Sequence, residues 1–173
     1  MKTLLKTTSL IICSLLLITS CAFHARNADN IPAALRHLSL SSTRPHDAFT
    51  SDLKNLLRSL HVRIENSPKL APYSLKISHL RFSQSHSAIT TTNQPISLSY
   101  NLSVSLSLTN AQDHTVILDT TLSAAHSVTQ NASQVYTPHT ASLIKQDLQR
   151  DILSQFYYLL ISNHTRKKLN HAP

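Results

Sequence analysis

Glycine is absent from all 173 residues. That absence excludes chemistry before any motif is sought. Phosphate-cradling loops and dinucleotide fingerprints need glycine where the backbone closes on its ligand. The strained G-x-S-x-G elbow of many hydrolases needs it too. Turns must instead draw on Asn, Asp and Pro, which tolerate or preset turn dihedrals. Tryptophan is also missing, and Glu65 is the single glutamate. Paired catalytic carboxylates would have to come from eight scattered acids. Of these, Asp147 and Asp151 share one helix face and read as solvated partners of Lys145 and Arg150. Serine and histidine are abundant, but no nucleophile motif joins them. The composition therefore argues against an enzyme, and no cofactor is expected.

Cysteine occurs only at positions 13 and 21. Cys13 lies within an opening run, MKTLLKTTSLIICSLLLITS, that reads as a secretion signal. Lys2 and Lys6 make its positive start, and Ser9 to Ile18 its apolar core. That core falls short of the roughly 20 apolar residues a spanning helix needs. Ile18-Thr19-Ser20-Cys21 follows directly. Small residues before a cysteine at this place resemble the lipobox of bacterial lipoproteins. The resemblance implies cleavage before Cys21 and acyl chains on it. One cysteine then remains, so no internal disulfide can form. Several acyl chains, at roughly 0.8 kcal/mol per buried CH₂, would anchor the chain for good. The second mature residue is Ala22 rather than Asp, which points to the outer membrane and its periplasmic side.

Removing residues 1–20 leaves 153 of the 173 residues, enough for one domain with its own core. Lys2 and Lys6 contribute two of the formal +8, leaving +6 spread along the chain, with a cluster at Arg166-Lys167-Lys168. Nucleic acid is an unsuitable partner for an exported chain, and an anionic membrane component suits this surface better. The eleven histidines show no H-x-H or H-E-x-x-H spacing, so no metal site is expected. The Asn-X-Ser/Thr triplets at Asn101, Asn131 and Asn163 read as chance in a Ser/Thr-rich bacterial chain.

Hydrophobic periodicity divides the rest. Residues 21–32 read as a lipid-anchored tether, 33–163 as a single domain and 164–173 as a loose basic tail. Leu35 to Leu40 is the first expected strand. Phe49, Leu53, Leu56, Leu57 and Leu60 give a helix over about 45–61, with Val62-Arg63-Ile64 leaving it as an extended link. Tyr73, Leu75 and Ile77 alternate as a strand. The phase flips at His79-Leu80, which predicts a β-bulge. Residues 83–95 read as a loop. From Leu98 to Leu108 every second residue is apolar and the others are serine or asparagine, a strand with one buried face. Val116, Leu118, Leu122 and Ala124 complete a hairpin with it, and 126–136 read as a loop. Thr137-Pro138 then starts a helix carried by Ala141, Ile144, Leu148, Ile152, Phe156 and Leu159. The expected fold is α+β. Two helices pack on one face of a four-stranded sheet, in the order strand-helix-strand-strand-strand-helix.

That order, behind a lipobox, resembles the LPS-assembly lipoprotein family, LptE. The start Cys21-Ala22-Phe23-His24-Ala25-Arg26 is similar to the family's cysteine, small residue, aromatic, His, any residue, Arg. The resemblance implies a plug inside a very large outer-membrane β-barrel, the LPS-assembly protein LptD. It also implies help with assembling that barrel and contact with lipopolysaccharide. The family's lipopolysaccharide-binding basic residues lie before the long strand and before the last helix. Here those places hold Thr91 and Thr137, and the nearest basic side chains are Arg81, His86, His139 and Lys145. These four are the candidate lipopolysaccharide contacts. An outer-membrane lipoprotein serving as adaptor or scaffold for a different envelope complex is the other reading of the same features.

Overall fold

A computed structural model describes residues 28–87, 96–130 and 138–171. The lipobox, Cys21, Thr91 and Thr137 lie outside those residues. The elements in chain order are β1 (His37–Ser42), α1 (Ala48–Ser59), β2 (Arg63–Glu65), β3 (Tyr73–Ser87), β4 (Ile96–Asn110), β5 (Val116–Gln130), α2 (Pro138–Ile161) and α3 (Asn163–His171). The fold is α+β, with one sheet of order β2-β1-β3-β4-β5.

The sheet has five strands where four were expected. The extra strand is the segment read as a link. Arg63, Ile64 and Glu65 pair in parallel with His37, Leu38 and Ser39. Three residues carry too little alternation to be read as a strand, and the pairing partner supplies what the pattern lacks. Around Glu65, Arg63 Nε donates at 2.8 Å and the His37 ring lies at 3.2 Å.

The strand boundaries also shift. Leu35 sits in a 3₁₀ turn, Ala33–Arg36, and is fully buried there. β3 runs on to Ser87 and β5 to Gln130, through stretches read as loops. Ladder hydrogen bonds to β4 hold these polar residues, so apolar alternation was not required of them. Val116 is exposed while Ile117 is buried, because the register shifts between Leu108 and Thr109.

The expected bulge is present. The β3–β4 register shifts between Ser78 and Arg81, and His79 takes a φ of 52°. Two further histidines take left-handed backbone, His61 at 57° and His114 at 59°. In a chain without glycine, these positions fall to a residue enriched there among non-glycine types. His61 closes α1. Beyond it the Val62 N–H reaches the Leu57 carbonyl and its own N–H the Arg58 carbonyl, both at 3.0 Å. That pattern is a Schellman motif.

α1 starts where the Asp47 carboxylate accepts from the Phe49 N–H at 2.9 Å. Its buried face is Phe49, Leu53, Leu56 and Leu57. α2 buries Leu148, Ile152, Phe156 and Leu160. These faces meet Leu75, Ile77, Tyr100, Leu102, Val104 and Leu106 in one core. The two helices thus cover one sheet face, as the periodicity predicts.

The last expectation to change is the tail. Residues 163–171 form α3, with Thr165 and Leu169 buried. Ser162 caps it, its hydroxyl accepting from the Thr165 N–H at 3.2 Å. One buried leucine among eight polar residues leaves little periodic signal, so the packing was not legible beforehand. No helix among the described residues is long and apolar enough to cross a membrane.

Candidate functional site

β1 stops at Ser42, paired with Ile77, while β3 continues to Ser87. The outer part of β3 therefore has β4 on one side and no strand on the other among the described residues. The bulge lies at this step. Beside it opens a recess of about 390 Å³ lined by Arg44, His79, Leu80, Arg81 and Phe82. Three of the five are basic and none is acidic.

Local chemistry places each group. The Arg44 backbone is tied down by buried Thr50, whose hydroxyl donates to the Arg44 carbonyl at 2.9 Å. The Arg44 N–H donates to the Ser42 hydroxyl at 3.1 Å, and that hydroxyl lies 3.0 Å from Thr50 Oγ1. His79 is set by the bulge. Downstream of it Arg81 pairs with Ser103 and Phe82 with Leu102. The alternation puts Phe82 on the core face and Arg81 on the serine face. The Phe82 ring stacks on buried Tyr100, with centroids 6.0 Å apart and planes at 16°. Lys145 Nζ stands 6.0 Å from the Phe82 ring centre. This is a cation–π contact at the edge of its useful range.

Of the four sequence candidates, Arg81 lines the recess, while Lys145 on α2 does not line it but stands over the ring of Phe82, which does. His86 lies farther out on β3, opposite Leu98. His139 is exposed in the first turn of α2 and does not line the recess. Arg44 and His79 were not among the candidates. The phase flip at His79-Leu80 did mark one of them, whereas nothing local in the sequence marks Arg44. The arrangement is an electropositive notch with an apolar floor. Guanidinium groups can bind a phosphate or carboxylate with two parallel hydrogen bonds, and Leu80 and Phe82 can shelter an attached hydrocarbon.

The opposite sheet face has a different chemistry. Ser97, Ser99, Asn101, Ser103, Ser105 and Ser107 of β4 point away from the helices, beside Thr121, Ser123 and Ser127 of β5. Hydroxyls bridge strands at 3.0 Å in Ser99–Ser127 and Ser105–Thr121. No helix among the described residues covers this face. At about 3.3 Å per residue, each 15-residue strand makes it about 50 Å long.

No protein-family model matches the sequence, and no curated protein matches it either. Solved structures do match in shape. One is the solution structure of an uncharacterized lipoprotein B from Nitrosomonas europaea, with a TM-score of 0.52 at 14% identity. The match covers 82% of this chain and 94% of that one. The fold is one shared with bacterial lipoproteins. A neuraminyllactose-binding hemagglutinin homolog from Helicobacter pylori matches with a TM-score of 0.50 at 8% identity, over 78% of this chain and 88% of that one. The rare lipoprotein B from Shewanella oneidensis matches with a TM-score of 0.47 at 14% identity, over 78% and 97%. At such identities the likeness concerns the fold alone.

Proposed function

We propose that this chain is an outer-membrane lipoprotein, anchored through acyl chains on Cys21 and facing the periplasm. Its task is to plug and help assemble the lipopolysaccharide-translocation β-barrel, LptD, and so to help deliver lipopolysaccharide to the outer leaflet. The observation that carries the reading is the uncovered face of β3–β4–β5. It is long, stiffened by ladders on both sides of β4, and lined with short hydroxyl side chains. A large barrel has a polar lumen, and a rigid polar wedge is what can stand inside one without burying unpaired groups. The lipobox-like start and the lipoprotein fold support the same reading.

Lipopolysaccharide is contacted, in this reading, at the notch of Arg44, His79 and Arg81, with Lys145 beside Phe82. Its phosphates meet the cations and its acyl chains the apolar floor. No bond is made or broken.

The test is an affinity pull-down of the C-terminally tagged chain from mildly solubilised envelopes of its own host. One large, heat-modifiable β-barrel protein should come down in equal amount. Recovery of the chain alone, or with periplasmic proteins only, would remove this function. The hemagglutinin homolog shows that the fold also occurs under another name. That favours keeping a second reading, an adaptor for a different envelope complex, which the identity of the recovered partner decides.

A further inference from the structure

The two ends of the described chain meet. Arg166 Nη2 of α3 donates to the Asn30 carbonyl at 2.8 Å, across 136 positions of sequence. Ile31 and Leu35 are buried in the same core as Leu169. Asp29, Ile31, Pro32, Arg166, Leu169 and Asn170 line one shallow recess between them. The tether is thus clasped to the C-terminal helix as it leaves the domain.

This fixes α3 relative to the anchor. Six residues lie between Cys21 and Ala28, where the described tether begins. Fully extended, the seven steps reach at most about 25 Å. A chain acylated on Cys21 therefore holds Ala28 within that distance of the bilayer surface, and α3 is clasped to the tether two residues on, at Asn30. Among the candidate lipopolysaccharide contacts, Arg81 pairs midway along β4, with Ser103, and His86 pairs near its start. His86 pairs with Leu98, twelve residues along β4 from Asn110, or about 40 Å.

α3 is built for such a surface. It has the sequence NHTRKKLNH, with no acidic residue. Thr165 and Leu169 face the core, while His164, Arg166, Lys167 and Lys168 are exposed. Asp29 is the acid that shares the recess with Arg166. We propose that α3 is a membrane-contact element that seats on anionic phospholipid headgroups of the leaflet holding the Cys21 acyl chains. The proposal rests on the lipid-anchor part of the proposed function. It adds a second point of attachment, so that anchor and helix together set the tilt of the domain on the membrane. Each cation close to an anionic surface favours contact by about fivefold.

The experiment uses the full acylated chain, bound to phosphatidylcholine vesicles or to vesicles containing phosphatidylglycerol. A membrane-impermeant amine reagent is applied, and labelling of Lys168 is read by mass spectrometry against Lys54 of α1, which belongs neither to the notch nor to α3. The expected result is that Lys168 labelling, relative to Lys54, falls about fivefold on the anionic vesicles. It should recover in about 0.5 M salt, where the Debye length is only a few ångströms. Equal labelling on both vesicles, with the chain bound to both, overturns the membrane contact and leaves the anchor standing. Failure to bind either vesicle overturns both.

Discussion

Lys145 stands 6.0 Å from the ring centre of Phe82, on the core side of the strand whose next residue back, Arg81, faces the other way. Two cations from different elements thus flank this part of β3, Lys145 over its core face and Arg81 on its serine face. Both are at the surface margin, so neutralising them should leave the fold intact. Arg81→Gln and Lys145→Gln together should shift stability by no more than about 0.5 kcal/mol each. Capture of lipopolysaccharide by the purified chain should fall by about tenfold or more, since each lost charge-assisted hydrogen bond is worth about 1.5–3 kcal/mol. Unchanged capture would take the notch out of the function.

The hydroxyl face makes a separate prediction. Ser105 is partly exposed and its hydroxyl lies 3.0 Å from Thr121 Oγ1. Ser105→Arg places a long side chain on that face and none in the core. The domain should melt as before, and recovery of the barrel partner in the pull-down should fall by about tenfold. Leu102→Ala, one layer inward at a fully buried position, should instead cost about 2–5 kcal/mol, seen as a lower thermal midpoint. Loss of the partner with Ser105→Arg at normal stability would separate docking from folding.

The three left-handed histidines should be improvable. His61, His79 and His114 are exposed and carry φ of 57°, 52° and 59°. Left-handed backbone costs a residue with a Cβ about 1–2 kcal/mol, and glycine avoids most of that. Glycine also gains entropy in the unfolded chain, which offsets part of the benefit. His61→Gly should therefore raise stability by about 0.5–1 kcal/mol in urea unfolding. A decrease would mean that the His61 side chain, rather than its backbone, closes α1.

The β4–β5 turn supplies a pH dependence. The Asp113 carboxylate accepts the Thr115 backbone N–H at 3.0 Å, and that bond, with one from the Thr115 side chain, holds its pKa below the ordinary value. A carboxylate depressed on folding stabilises the native state above its unfolded pKa. That contribution is lost as pH falls through the lower folded value. Between about pH 5 and pH 3 the native chain should therefore lose stability faster than Asp113→Asn, which has no proton to take up. Above about pH 5 the two should run parallel. Thermal midpoints measured across that range check this, and parallel curves throughout would remove Asp113 from the acid response.

The sequence by itself determined the α+β class and the buried face of the long hairpin. That face is a local signal: a period of two from Leu98 to Leu108 that only one face of a sheet can satisfy. It also marked the bulge, because an inserted residue flips the phase of everything after it. Tertiary structure decided the rest. Arg63–Glu65 became a strand only because β1 offered a partner. The polar reaches 83–87 and 126–130 became strands because the ladder, not the side chains, holds them. Arg44 entered the notch through Thr50, six residues away on α1. The basic tail became a helix clasped to Asn30, a contact that no window along the chain contains. Periodicity reports what a segment must bury, whereas pairing and long-range contacts depend on which other segment is there to meet it.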